Sequence, residues 1–321
     1  MRSFDLAFVA AIAIASAWAP RAQAQQQPQG FAVERLYPSA PGGGWVVMDA
    51  LDMRGGLGGV AGMTVGYSHE PLRLPTPDGS HLAVVARQAF ADLGLAVTYD
   101  RFRLYANLAS PLLIAGDSGT VGRYRLTAPA VDLGSNPDTV ADPRVGFDTR
   151  LLGTASGAFR LGVGAQLLMP NGSRADYDTD GTMRAMLRAL FAGDVGSFAY
   201  AGQLGVHVRP LDDSPAPGSP QGSELLFGIA GGLRQPLGGD GAAALVIGPE
   251  VYGETAFKSF FGSTGTGIEA LLTTRVEGTR DDGAQVRVKL GTGGGLSPQL
   301  GAPEWRIVVG IEVFDHSSGH P

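Results

Sequence analysis

Between Val60 and the C-terminus, runs of alternating apolar and polar residues recur about every twenty residues. In Phe159-Arg160-Leu161-Gly162-Val163-Gly164-Ala165-Gln166-Leu167 every odd position is apolar and every even one is small or polar. The same period of two runs through Gln285-Val286-Arg287-Val288-Lys289-Leu290 and through Trp305-Arg306-Ile307-Val308-Val309-Gly310-Ile311-Glu312-Val313. Successive side chains of a strand point to opposite faces of a sheet, so this period predicts strands with two unlike faces. About twelve segments qualify: 58–73, 81–99, 102–112, 143–153, 158–169, 182–192, 198–209, 223–234, 243–256, 266–277, 284–292 and 303–314. Residues 183–191 also fit a helical period, with Arg184 and Arg188 four apart, but their place between a long loop and a short turn favours a strand.

These segments match or exceed the ~9–11 residues that cross a bilayer at a tilt, whereas soluble strands average about five or six. Their connections alternate in length. Residues 100–101, 154–157, 193–197, 236–241 and 278–283 make short turns, while 114–142, 170–181, 210–222, 258–265 and 293–302 make longer loops rich in Pro, Ser and Asp. The exception in the long set is 75–80. Such sorting belongs to an outer-membrane barrel with periplasmic turns and extracellular loops. An even strand number then places both termini on the short-turn side. Tyr99, Phe102, Phe159, Phe191 and Phe198 carry outward parity beside the short turns, as an interfacial girdle requires, and Tyr67, Phe147 and Trp305 do so at the other rim. The predicted fold is all-β: a transmembrane up-and-down antiparallel barrel of about twelve strands.

The opposite parity turns charge inward: Arg103, Arg150, Arg160, Arg184, Arg188, Arg234, Arg275, Arg287, Lys289 and Arg306, with Asp92, Asp148, Glu224, Glu250, Glu254, Glu269, Glu277 and Glu312. A charge on the lipid face costs about 2–4 kcal/mol at the midplane, so these groups face water or one another. The basic members, with Glu250, Glu254, Glu269 and Glu312, are the pore-lining candidates. Twelve strands lie between a filled barrel of eight and an open channel of sixteen. A narrow polar pore and a closed, salt-bridged wall both satisfy the pattern.

Ahead of the barrel, Met1-Arg2, the apolar run Leu6–Ala15 and Ala22-Gln23-Ala24 have the layout of a secretory signal peptide, cleaved near Ala24, over residues 1–24. Residues 25–56 form a polar tether and an ordered prelude, with Phe31, Val33, Leu36 and Trp45 to Met48 broken by Pro and Gly, lying against or inside the barrel. The barrel occupies 57–314 and a tail 315–321. Phe314 is out of step with Trp305, Ile307, Val309 and Ile311, which predicts a bulge near the end of the last strand.

Composition removes whole classes of function. There are no cysteines, so neither disulfides nor thiolate metal sites exist. A net charge of −6 gives no basic footprint for nucleic acid. Asp176, Asp178 and Asp180 match the first half of a calcium loop, but Leu187 stands where the bidentate acid belongs, and a solvated acidic surface loop is the plainer reading. Gly116-Asp117-Ser118-Gly119 lacks the following Gly of a serine-protease segment and reads as a turn. An integral outer-membrane hydrolase, the third alternative, would pair an outward-facing Ser with a His; His207 has inward parity and no Ser can be paired with it or with His69, so no catalytic residue, enzyme activity or cofactor is assigned.

Phe31-Ala32-Val33-Glu34-Arg35-Leu36-Tyr37-Pro38, the Gly-Gly-Gly-Trp run ending at Trp45, and Gly66-Tyr67-Ser68-His69-Glu70-Pro71-Leu72 resemble the N-terminal barrels of certain OmpA-family outer-membrane proteins. The resemblance implies a membrane-embedded barrel and no substrate or catalytic residue; the peptidoglycan-binding domain that can follow such barrels is not expected after Pro321. The expected partners are outer-membrane lipid, the barrel-assembly machinery and small polar solutes. The expected role is a passive outer-membrane pore, with a closed structural or surface-interaction barrel acting through 114–142 as the alternative.

Overall fold

The computed structural model describes residues 30–53, 55–138, 140–211, 221–238, 243–279, 285–297 and 301–316. The expected leader and the tether residues 25–29 lie outside them, as do 317–321 of the expected tail. The barrel strands are β1 (Leu57–Pro75), β2 (His81–Tyr99), β3 (Phe102–Ala115), β7 (Arg144–Leu152), β8 (Arg160–Leu168), β9 (Arg184–Val195), β10 (Phe198–Val208), β11 (Glu224–Leu237), β12 (Ala243–Ala256), β13 (Thr266–Thr279), β14 (Gln285–Gly295) and β15 (Trp305–His316). Three short strands, β4 (Gly119–Val121), β5 (Tyr124–Leu126) and β6 (Ala130–Asp132), fold within the long 114–142 connection, where the alternation gave no sign of them. All barrel neighbours pair antiparallel in chain order. The ring closes between β1 and β15, from Gly58↔His316 to His69↔Trp305. Closure leaves no sheet edge, which is the condition for strands to cross lipid.

The outer face is apolar. Leu93, Leu95 and Val97 of β2, Leu104 and Leu108 of β3, and Val309, Ile311 and Val313 of β15 are exposed, the face that a lipid surrounding requires. Tyr99, Phe102, Phe159 and Phe198 ring the short-turn rim, and Phe147 and Trp305 face outward as well. The aromatic belt includes a group absent from the sequence reading: Phe260 stacks on Phe257 and meets Phe261 edge to face, and Phe261 also meets Phe227 of β11. Arg184–Val195 is a strand throughout, which decides its ambiguous period.

Strands β1 and β2 each run 19 residues, well past the ~9–11 that a bilayer needs. The pair therefore stands above the barrel as a hairpin, and its height, rather than its connection, occupies the long-loop side; this is why 76–80 is short. Register shifts between His69 and Leu72, and again at Arg73, bend β1 as it leaves the wall. Leu72, Leu74, Val84 and Val85 then pack with Ile114, Val121, Leu126 and Val131 as an apolar cap over the long-loop mouth.

Three expectations need correction. The β15 ladders keep one register on both sides through Phe314, so there is no bulge; Phe314 simply turns inward, with the Arg287 guanidinium 4.9 Å from its ring centroid. Strand β15 runs to His316, two residues into the expected tail. The described N-terminal end does not lie on the short-turn side. Gly30 sits at the long-loop rim, where its carbonyl accepts from Arg174 and the neighbouring Phe31 meets the Tyr177 ring.

If the apolar face meets lipid, Leu95→Arg is expected to lower stability in vesicles by about 2–4 kcal/mol, measured by denaturant unfolding. An unchanged midpoint would place that face elsewhere.

Candidate functional site

The lumen holds residues 30–53, nearly all of them buried. This plug descends from the long-loop rim to the short-turn rim, where β1 begins and the chain turns back as wall. Why it folds compactly is local. Gly42 and Gly44 adopt φ of +85° and +96°, which lets the chain reverse. Ser39 N–H then donates to Val46 O at 2.8 Å, and Ala50 N–H to Gly43 O at 2.6 Å.

Charged contacts fix the plug from top to bottom. Near the long-loop rim, Ala32 N–H donates to Asp180 at 2.9 Å, while Arg35 pairs with Glu224 at 3.3 Å and with Glu254 at 3.4 Å. Glu34 takes both terminal nitrogens of Arg306, at 2.9 and 2.8 Å, and the second Arg306 partner is Glu269. Tyr37 Oη accepts from Arg184, and the Pro38 carbonyl from Arg144. At mid-height the Glu250 carboxylate accepts three consecutive backbone N–H groups, from Val46, Val47 and Met48, at 2.8, 3.0 and 3.0 Å. Successive backbone amides converging on one anion form a nest, and here the anion is supplied by the wall. Thr273 Oγ1 completes the shell at 2.6 Å. Lys289 bridges Trp45 O and Glu312. At the base Asp49 pairs with Arg103, Asp52 with Arg287 at 3.0 Å, and Arg150 donates to the carbonyls of Leu51 and Met53.

Between these tethers the contact is dry. Leu36, Trp45, Val46, Val47, Met48 and Leu51 pack on Leu190, Val246, Leu271, Val308 and Tyr252 of the wall. The inward face is therefore not polar throughout, as the alternation implied; its apolar members are those the plug covers. Small wall residues make room: a Cβ at Gly228 would stand 2.4 Å from Met48 Cε.

Every pore-lining candidate faces this lumen, paired across it or along the wall. Arg103 and Arg188 share Asp148, Arg160 meets Asp194, and Arg234 meets Glu277. Arg184 pairs with Asp142, Arg287 and Lys289 with Glu312, and Arg306 with Glu269. Arg275 stands over the Trp45 ring at 5.1 Å, and its Nη1 has no hydrogen-bond partner. Beside it a cavity of about 210 Å³, lined by Asp52, Arg160, Asp194, Arg234 and Glu277, lies near the short-turn rim. The plug's own charges, Glu34, Arg35, Asp49 and Asp52, were missed, although both signs in an apolar, Gly-broken stretch were the available signal. Arg144 and Arg209 were missed too; Arg209 lies one residue past its strand and pairs with Asp180 and Glu224.

The acidic loop is not the solvated surface loop expected, because Asp178 and Asp180 are buried. Asp180 is buried: burial pushes its carboxyl up, but Arg209 and Arg184 outweigh that and hold it below the usual carboxylate range. Asp178 accepts the Ser173 N–H at 2.7 Å, and burial with the adjoining Asp138 carboxyl pushes it up to about 8. Asp176 lies in a short 3₁₀ turn, Arg174–Asp176, and the three acids do not share one centre.

No protein-family model matches the chain, and no curated protein matches it. Solved structures do. An outer-membrane channel from Pseudomonas putida F1 aligns with TM-score 0.50 and 14% identity, over 81% of this chain and 95% of that one. The CymD monoaromatic hydrocarbon channel aligns with TM-score 0.46 and 11% identity, over 90% and 100%. The P. putida toluene transporter TodX aligns with TM-score 0.43 and 9% identity, over 91% and 100%. The fold shared with the first of these is a bacterial outer-membrane barrel.

Two outcomes follow from the site. Glu250→Ala orphans three buried plug N–H groups at about 1–3 kcal/mol each, so the plug is expected to become protease-sensitive at 44–49 while the barrel stays heat-modifiable on gels. Asp178 keeps its proton in the folded loop up to about pH 8, against 3.8 for a free aspartate. The folded state thus holds the extra proton between these values, and the stabilisation is full below about pH 4 and lost as pH rises through about 8. Proteolysis within 169–183 should rise from pH 6 to pH 9, and Asp178→Asn should flatten that rise.

Proposed function

We propose that the protein is an outer-membrane transport channel for small polar solutes whose conduit is closed by its own segment 30–53. The observation that carries this reading is the kind of contact holding the plug. It is seated by ion pairs, a carboxylate nest and side-chain packing rather than by strand pairing with the wall, so it can leave without breaking the barrel. Once it shifts, Arg103, Arg150, Arg160, Arg184, Arg188, Arg234, Arg275, Arg287, Lys289 and Arg306, with Glu250, Glu254, Glu269 and Glu312, line a charged passage suited to polar solutes. The solved barrel that shares this fold is itself described as a channel. The reading assigns no catalytic role. Its partners are membrane lipid and the machinery that inserts barrels. Kinship with OmpA-family barrels belongs to the same proposal and is supported by the segments 31–38 and 66–72.

A cysteine-free chain allows a direct test. A Cβ built at Gly62 stands 3.9 Å from Pro41 Cβ, within the about 3.5–4.5 Å of a disulfide. Pro41→Cys/Gly62→Cys is expected to be silent in planar bilayers when oxidised and to conduct when reduced. Equal conductance in both states would remove the plug as the gate. Silence in both, with wild type also silent, would return the protein to a closed barrel presenting its ordered 114–142 surface.

A further inference from the structure

Where the plug meets the wall near the long-loop rim, three neighbouring strands bring His207, Glu224 and Glu254 together. His207 of β10 stands directly opposite Glu224 of β11, and Glu254 of β12 is paired with Leu226, two residues along. All three are buried, His207 completely. His207 Nδ1 lies 3.2 Å from Glu254 Oε1 and 3.8 Å from Glu224 Oε2. Glu224 Oε2, aimed into this cluster, has no hydrogen-bond partner.

Two carboxylates and an imidazole on a rigid sheet are a donor set for a divalent ion of the zinc class. Donors about 2.1 Å from a tetrahedral ion stand about 3.4 Å apart, between the 3.2 and 3.8 Å present. In this conformation the plug contributes one positive charge: the Arg35 guanidinium reaches Glu224 Oε1 and Glu254 Oε2. Arg209 also holds Glu224 Oε1, at 2.8 Å, and remains on the wall when the plug leaves. Arg35 is the guanidinium that pairs with Glu254 among the described residues. Its departure leaves a buried carboxylate uncompensated beside a histidine, which is costly.

We infer that His207, Glu224 and Glu254 form a divalent-cation site that Arg35 occupies as a tethered cation while the plug is seated, so that metal and plug compete for the same carboxylates. While the plug is seated, Nδ1 faces the Glu254 carboxylate and donates to it; metal binding requires the Nδ1 lone pair, so the proton then sits on Nε2, which has no partner in the seated state. The inference deepens the proposed gating and rests on it for the effect on conductance, but not for the binding.

The test uses refolded full-length protein in a His69→Ala background, which dismantles the more exposed His69–Glu70–Glu304 group. Zinc binding is measured by equilibrium dialysis with metal analysis, and heat-modifiable migration confirms that each variant is folded. Arg35→Ala is expected to bind one zinc per chain at least tenfold more tightly than the parent. Adding His207→Ala or Glu254→Gln to it should reverse that gain. An Arg35→Ala chain that binds no more tightly than the parent, or double variants that keep the gain, would overturn the site. Zinc should also raise the parent's open probability, and not that of His207→Ala. Correct binding without this effect would leave the site standing and remove the gating reading.

Discussion

The rest of this structure depends on the compensation of charges that the barrel wall turns away from lipid. Twelve strands surround a lumen too narrow for each inward Arg and Glu to keep a full water shell, and wall–wall pairs settle only part of the account. The plug supplies the remainder: Glu34 for Arg306, Asp49 for Arg103, Asp52 for Arg287, Arg35 for Glu254, and three amides for Glu250. Removing one member of a buried pair costs about 3–5 kcal/mol, whereas replacing the whole pair by apolar packing is often neutral. Such a network is therefore a poor way to gain stability. It is a good way to make a contact that can be undone wherever water or another cation takes the place of the departing charge.

The two halves of the plug divide this work. Its upper part, Ala32 to Pro38, is ionic and lies beneath the apolar cap, where Phe31 and Val33 join Leu72, Val84 and Tyr177. Its lower part, Trp45 to Met53, is mostly hydrophobic and fills the widest dry contact with the wall. The Glu250 nest sits at the junction. A disturbance from the long-loop side thus meets the apolar cap first, the separable charges next and the lower packed contact last.

Much of this was legible in the sequence. The period of two located the twelve wall strands, and parity turned Arg103, Arg306, Glu250 and His207 inward without any structure. Those are local consequences of strand geometry. What stayed hidden was non-local. Pairings such as Val46 with Glu250 link residues 204 apart, and no periodicity in 31–56 records which wall group will meet which amide. Parity likewise shows that Leu190, Val246 and Val308 face inward, but not that a dry partner waits there. The acidic loop misled for a related reason: Asp180 looks solvated until Arg209, at the far end of the β9–β10 hairpin, is seen to reach it.

The plug is joined to the wall at only one end. Residue 53 is a few residues from β1 at the short-turn rim, while Gly30 is at the opposite mouth. A rod fastened covalently at its foot, and held at its tip by noncovalent contacts alone, can be drawn back towards the foot, but not pushed out past it. Withdrawal therefore has one direction, and whatever precedes Gly30 in the chain must travel the length of the lumen for the passage to clear. A folded module placed ahead of that glycine would act as the head of a bolt, leaving the wall intact and the passage permanently shut.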